Sequence, residues 1–192
     1  MLDDALGRRA FLATSCTAIA SAWLTADPDQ LRASLVHARA RANAPAPLWE
    51  ILTPDQAADV DAIAAQIIPT DDLPGAREAG AVYFVDHSLA TWAHDQRDPF
   101  AHGLDELNRE VRHRWTGPGR FAALSSERQI ELLHAAEQTP FFQTMRFFTI
   151  AGTFANPSWG GNHEKVGWRI LGFEDRFVWQ PPFGDYDADA RK

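Results

Sequence analysis

From position 53 onward the apolar residues recur with a helical period. In "LTPDQAADVDAIAAQIIP", Ala57, Val60, Ala64 and Ile67 fall at spacings of three and four, which sets them on one face of a helix. Thr53 stands at the N-cap, Pro54 at the first helical position and Gln56 completes a capping box. Pro69 ends this helix, and "TDDLPGA" reads as a turn. A second helix is predicted over 76–94, with Val82, Val85, Leu89 and Trp92 on its buried stripe. A third spans 100–115 through Leu104, Leu107 and Val111, and pairs Glu110 with Arg114 on its outer face, worth about 0.3 kcal/mol. "GPGR" breaks it. Ser125 or Ser126 caps a fourth helix carrying Ile130 and Leu133, and Pro140 opens the next.

That fifth helix, "PFFQTMRFFTIAGTFA", departs from the amphipathic pattern. Phe141, Phe142, Met145, Phe147, Phe148, Ile150 and Phe154 surround it, and Arg146 is its only charge. A helix apolar all round belongs at the centre of a bundle or under a partner. Gly152 permits another backbone to come close, at a propensity cost of about 1 kcal/mol against Ala. No strand-type alternation and no internal repeat is visible. The predicted fold is all-α: a compact bundle of about five helices over 48–180, with an irregular Gly/Trp-rich C-terminal loop and a polar tail over 181–192.

The first 47 residues follow a different pattern. Arg8-Arg9 precede an apolar stretch, Ala10 to Leu24, that is too short to span a bilayer but suits a secretory core. Arg8, Arg9, Phe11 and Leu12 make residues 1–26 a twin-arginine-type export signal, with cleavage fitting after Ala22 or Ala26. Asp3, Asp4 and Gly7 depart from the usual pattern. Residues 27–47 read as an Ala/Arg/Pro-rich linker. Cys16, the single cysteine, lies inside the signal, so no intrachain disulfide or CxxC site is available.

Composition narrows the function. Apolar residues at 45% and charged residues at 23% describe a globular chain, and a net charge of −8 argues against nucleic acid as a partner. His87 and His94, with Asp86, Asp95 and Asp98 nearby, are the candidate metal ligands of an independent enzyme. They lack the HxxxH or HExxH spacing of zinc helices. No GxSxG, P-loop or CxxCH occurs, so no catalytic, cofactor-binding or metal residue is assigned. "GGN" at Gly160, Gly161 and Asn162 reads as a tight turn whose Asn bonds its own backbone, or else as an anion nest.

Three stretches, "LTPDQAADVDAIAAQIIPTDDLPGAREAG", "FAALSSERQIELL" and "PFFQTMRFFTIAGTFANPSWGGNHEKVGWRILGF", resemble the gluconate 2-dehydrogenase subunit 3 family over about 48–173. Their most specific parts are "IIP…D..PGA" and "GGN…GW..LGF". The resemblance implies a non-catalytic small subunit of a periplasmic, membrane-associated dehydrogenase. It implies FAD in a large flavoprotein partner, haem c in a multihaem cytochrome partner, and passage of the pre-folded pair through the twin-arginine translocase.

Seven Trp and twelve Phe are many for a small acidic chain, and aromatics with Arg dominate interface hot spots. The expected partner surface is therefore 156–183, with Trp159, Gly160, Gly161, Asn162, Trp168, Arg169, Phe177 and Trp179 as candidates. A free-standing interaction module is the remaining alternative.

Overall fold

Thr53 closes the predicted capping box: its hydroxyl accepts from the Gln56 amide at 3.2 Å, and the Gln56 side chain accepts from the Thr53 amide at 3.0 Å. From this cap α1 runs Pro54–Ile67 in the computed structural model, which describes residues 49–176 and 178. The expected signal with Arg8, Arg9, Phe11 and Leu12, the linker, the tail, Phe177 and Trp179 lie outside the described residues. Five further α-helices follow: α2 (Ala81–Ala90), α3 (Arg97–Arg114), α4 (Ser126–Ala136), α5 (Pro140–Phe154) and the short α6 (Val166–Ile170). No strand occurs among the described residues, so the fold is all-α.

The second helix is shorter than its periodicity predicts, for reasons at both ends. Before it, Gly75 folds back onto the α1 terminus so closely that a Cβ there would lie 2.5 Å from the Ile68 carbonyl oxygen. Gly80 then adopts φ +66°, open to glycine and costly for other residues, and α2 starts only after it. At the far end, Arg97 donates to the carbonyls of Leu89 and Ala90, satisfying groups that a continued helix would otherwise use. Trp92 falls beyond the helix, half-buried against the rings of Phe147 and Phe148.

α5 occupies the centre, as its all-round apolarity predicts. It packs against α1, α2, α3 and α6, most extensively against α2. At the α2 contact a Cβ on Gly152 would lie 2.9 Å from Phe84 Cβ and 3.0 Å from Ala81 Cα, so the small residue sets the helix separation. Phe84, Phe100, Phe141 and Phe148 form an aromatic core with ring centroids 5.2 to 6.5 Å apart, in tilted and edge-on geometries favourable to such pairs. α4 departs from expectation at one position. Leu132 and Leu133 are buried, but Ile130 is 44% exposed, because Gln129 takes the inward place and bonds Gln66 and the Phe121 carbonyl. Ile130 instead borders a groove of about 270 Å³ between α1, α4 and α5.

The turn after α1 is tied by two carboxylates: Asp71 Oδ1 accepts the Leu73 amide at 2.9 Å, and Glu78 closes its base. Glu78 Oε2 accepts from Thr70 Oγ1 at 2.7 Å and from the Gly75 amide at 2.8 Å. The Thr70 hydroxyl, followed by the Gly75 amide, holds the Glu78 carboxyl below its ordinary value. A lowered folded value adds stability that is complete above the unfolded value, about 4.3 for Glu, and is lost as pH falls through the folded one. We therefore expect amides of the 69–79 turn to exchange faster, relative to the core, once pH drops below about 4. Glu78→Gln should remove that acid-dependent step, and an identical pH profile in both proteins would refute the assignment.

Candidate functional site

Two clusters of polar groups are built into the helices. The first joins α1, α3 and the turn before α4. Asp59, fully buried on α1, accepts from Asn108 Nδ2 at 2.8 Å, Arg120 Nη2 at 3.0 Å and the Ala122 amide at 2.9 Å. Asn108 Oδ1 in turn receives the Phe121 amide at 2.8 Å. The hydrogen bond to Asp59 raises the Arg120 guanidinium still further above its ordinary value, and Asp55 pairs with its other side. The node joins α1 to α3 and both to the 120–122 turn.

The second cluster lies where α2, the 155–165 loop, α6 and the chain just before α1 meet. Asp86, 1% exposed, accepts three successive amides: Glu50 at 2.7 Å, Ile51 at 2.9 Å and Leu52 at 2.9 Å. Its neighbour His87, 4% exposed, places Nδ1 3.0 Å from Glu50 Oε1. His94, the other expected metal ligand, sits on the next turn with Nδ1 3.2 Å from the Thr91 carbonyl. Among the described residues no group of three or more His, Cys, Asp or Glu side chains is placed to hold a metal ion.

The loop itself is more regular than its sequence predicts. Single 3-10 turns at Pro157–Trp159 and His163–Lys165 lead directly into α6. Its glycines act mainly by close approach rather than by turn geometry alone. Gly160 does take φ +98°, but Gly161 is needed because a Cβ there would lie 2.1 Å from the Gly152 carbonyl oxygen. The Asn162 carbonyl accepts the Lys165 amide at 2.9 Å, but its side chain reaches outside the turn. Fully buried at φ +49°, Asn162 donates through Nδ2 to the Ala155 carbonyl at 2.8 Å and accepts the Gly167 amide at 2.8 Å. Its own amide donates to the Gly152 carbonyl at 2.7 Å. Asn162 thereby supplies partners for backbone groups at the α5 C-terminus and the α6 N-terminus.

Beyond Asn162, Glu164 and Lys165 also take positive φ, +51° and +60°. Such residues each cost about 1–2 kcal/mol outside glycine and persist where their surroundings impose them, commonly at functional sites. α6 ends in a complete Schellman motif. Gly172, at φ +67°, donates to Arg169, the Phe173 amide donates to Trp168, and the Trp168 and Phe173 rings meet edge-on at 5.3 Å. This gives "GW..LGF" a physical meaning. Trp168 is half-buried with Nε1 donating to the Phe154 carbonyl at 2.9 Å, while Arg169 points outward and donates to the Glu164 carbonyl.

The candidate residues therefore divide. Gly161 and Asn162 are buried and shape the loop, whereas Trp159 and Gly160 are half-buried and Arg169 is exposed on its outer side. Sequence reasoning missed Asp59, Tyr83 and Trp49, and singled out Asp86 only as a neighbour of the candidate metal ligands. Tyr83 stacks on Trp49 at 5.1 Å on one side and on His163 at 5.1 Å on the other. The available signal was an Asp set among apolar neighbours on each of two helices, "AADVDAIAA" and "AVYFVDHSLA".

Fold and site together define a small all-α domain whose described buried ionisable groups, Asp59, Asp86 and His87, bond other groups of the fold. Residues 54–175 match the family model described as Gluconate 2-dehydrogenase subunit 3, well over half of the chain, and the protein belongs to that family. It is thus a member of a family of dehydrogenase-complex subunits, and no helix among the described residues is long and apolar enough to cross a membrane. No curated protein and no solved structure matches the chain.

Proposed function

We propose that this chain is the non-catalytic small subunit of a periplasmic, membrane-associated, FAD-dependent dehydrogenase. It binds the flavoprotein large subunit, supports its maturation and stability, and carries it through the twin-arginine translocase by the signal in residues 1–26. FAD belongs to the large subunit, and haem c to a multihaem cytochrome that receives the electrons. The observation that carries this reading is the family match over 54–175, which spans nearly all of the described helical domain. The strained loop and α6 support it further. They carry half-buried Trp159 and Trp168 and exposed Arg169, residue types that dominate binding energy at protein interfaces.

The decisive experiment expresses the large flavoprotein with and without this chain and measures dye-linked dehydrogenase activity in the periplasm. Most of that activity is expected to vanish without the small subunit, with flavoprotein remaining in the cytoplasm. Equal periplasmic activity in both strains would overturn the reading.

A further inference from the structure

The strap formed by residues 49–52 is held to α2 almost wholly by polar bonds and one ring stack. Asp86 takes the amides of Glu50, Ile51 and Leu52, His87 meets Glu50, and the Trp49 ring lies on Tyr83 with only 11° between planes. Leu52 is buried, but Ile51 is 39% exposed. Leu52 in the core and Trp49 packed against it anchor the strap together with the Asp86 bonds, so it opens only when these contacts are given up together.

The opposite face of Tyr83 carries the loop. His163 stacks there with 18° between planes, its amide donates to the Ala79 carbonyl at 2.9 Å, and its ring fills the space over Gly80. Adding a Cβ to Gly80 would bring it within 2.7 Å of that ring. Gly160 approaches the same helix: its Cβ position lies 3.5 Å from the Tyr83 carbonyl oxygen and 3.8 Å from His87 Cβ. Strap and loop, more than a hundred residues apart in sequence, therefore meet on opposite faces of one α2 side chain, Tyr83. The loop is also backbone-strained at Glu164 and Lys165, so it has conformational energy to release if its seat is lost.

We infer that the strap and the 160–165 loop form a coupled latch, in which the Tyr83 ring transmits the seating of one to the closure of the other. A partner gripping the loop then tightens the chain's N-terminal strap, a consequence that rests on the proposed docking role; the coupling itself does not. Coupling between two sites is reciprocal, so each side must respond to loss of the other by the same factor.

The test is amide hydrogen exchange on the full-length chain alone, without any partner, comparing wild type with Asp86→Asn and His163→Ala. Asp86→Asn is expected to speed exchange at Glu50, Ile51 and Leu52 by about tenfold, since it replaces a charged acceptor of three amides. His163→Ala is expected to speed the same three amides by about fivefold, and Asp86→Asn to speed Asn162 and His163 amides comparably. Core amides of Met145 and Phe148 serve as internal reference, so that rates are read as ratios to the core even if a variant lowers global stability. Unchanged strap-to-core ratios in His163→Ala, or unchanged loop-to-core ratios in Asp86→Asn, overturn the latch while leaving the subunit assignment untouched. Adding the purified large subunit separates the two ideas further. Comigration without added protection of the strap amides overturns the partner-tightened latch, whereas failure to comigrate overturns the docking role.

Discussion

Replacing Asp59 by Ala is expected to lower the unfolding free energy by about 3 kcal/mol or more. The carboxylate is fully buried and accepts from a cation, an amide side chain and a main-chain amide at once. Removing one partner of a buried ion pair costs about 3–5 kcal/mol, because the other charge is left behind. Arg120 can still turn to Asp55 and to water, since its side chain is 29% exposed, and that places its share toward the low end. Against this discount, Asn108 Nδ2 and the Ala122 amide lose their acceptor, at about 1–3 kcal/mol for each buried donor left unpaired. Denaturant titration with an unchanged slope is the appropriate measurement. A loss below about 1 kcal/mol would mean that the node is dispensable.

Gly167→Ala should be nearly as damaging, against the ordinary preference of helices. In an exposed helix interior the change would gain about 1 kcal/mol. Here the new Cβ would sit 1.9 Å from the Thr153 carbonyl oxygen and 2.8 Å from its carbonyl carbon. Those are backbone atoms of α5 and cannot rotate away, so α6 must move. Moving it stretches the Asn162–Gly167 bond at 2.8 Å and the Trp168–Phe154 bond at 2.9 Å. Overpacking at about 1–3 kcal/mol, with two weakened bonds of about 1 kcal/mol each, outweighs the propensity gain and leaves a net loss of about 2–4 kcal/mol. Gly119 provides the control, since a Cβ there meets nothing within 4 Å, and Gly119→Ala should change thermal stability by less than about 1 kcal/mol. Equal losses in the two variants would remove steric packing as the explanation.

The helical elements were legible because their cause is local. The capping box at Thr53, the stripe through Leu104, Leu107 and Val111, and the apolar surround of α5 each act within a few residues. What escaped periodicity depends on residues distant in sequence. Gly80, just before α2, has no room for a Cβ because His163 lies over it, and Ile130 faces outward because Gln129 bonds Gln66 from another helix. The same holds at the candidate site. Its glycines and tryptophans stood out as composition, but the amides that Asp86 collects lie thirty-four to thirty-six residues away. Only a window reaching from residue 50 to residue 86 contains that relation, far longer than any helical period.

The path of the loop is written almost entirely in main-chain atoms. Gly152, Gly161 and Gly167 set the distances, and Asn162 joins the ends, all from inside. Trp159 packs against the core and Arg169 ties the Glu164 carbonyl from outside, whereas the Glu164 side chain is exposed. Exposed positions such as Glu164 can be rewritten, in nature or by design, without redrawing the frame that displays them.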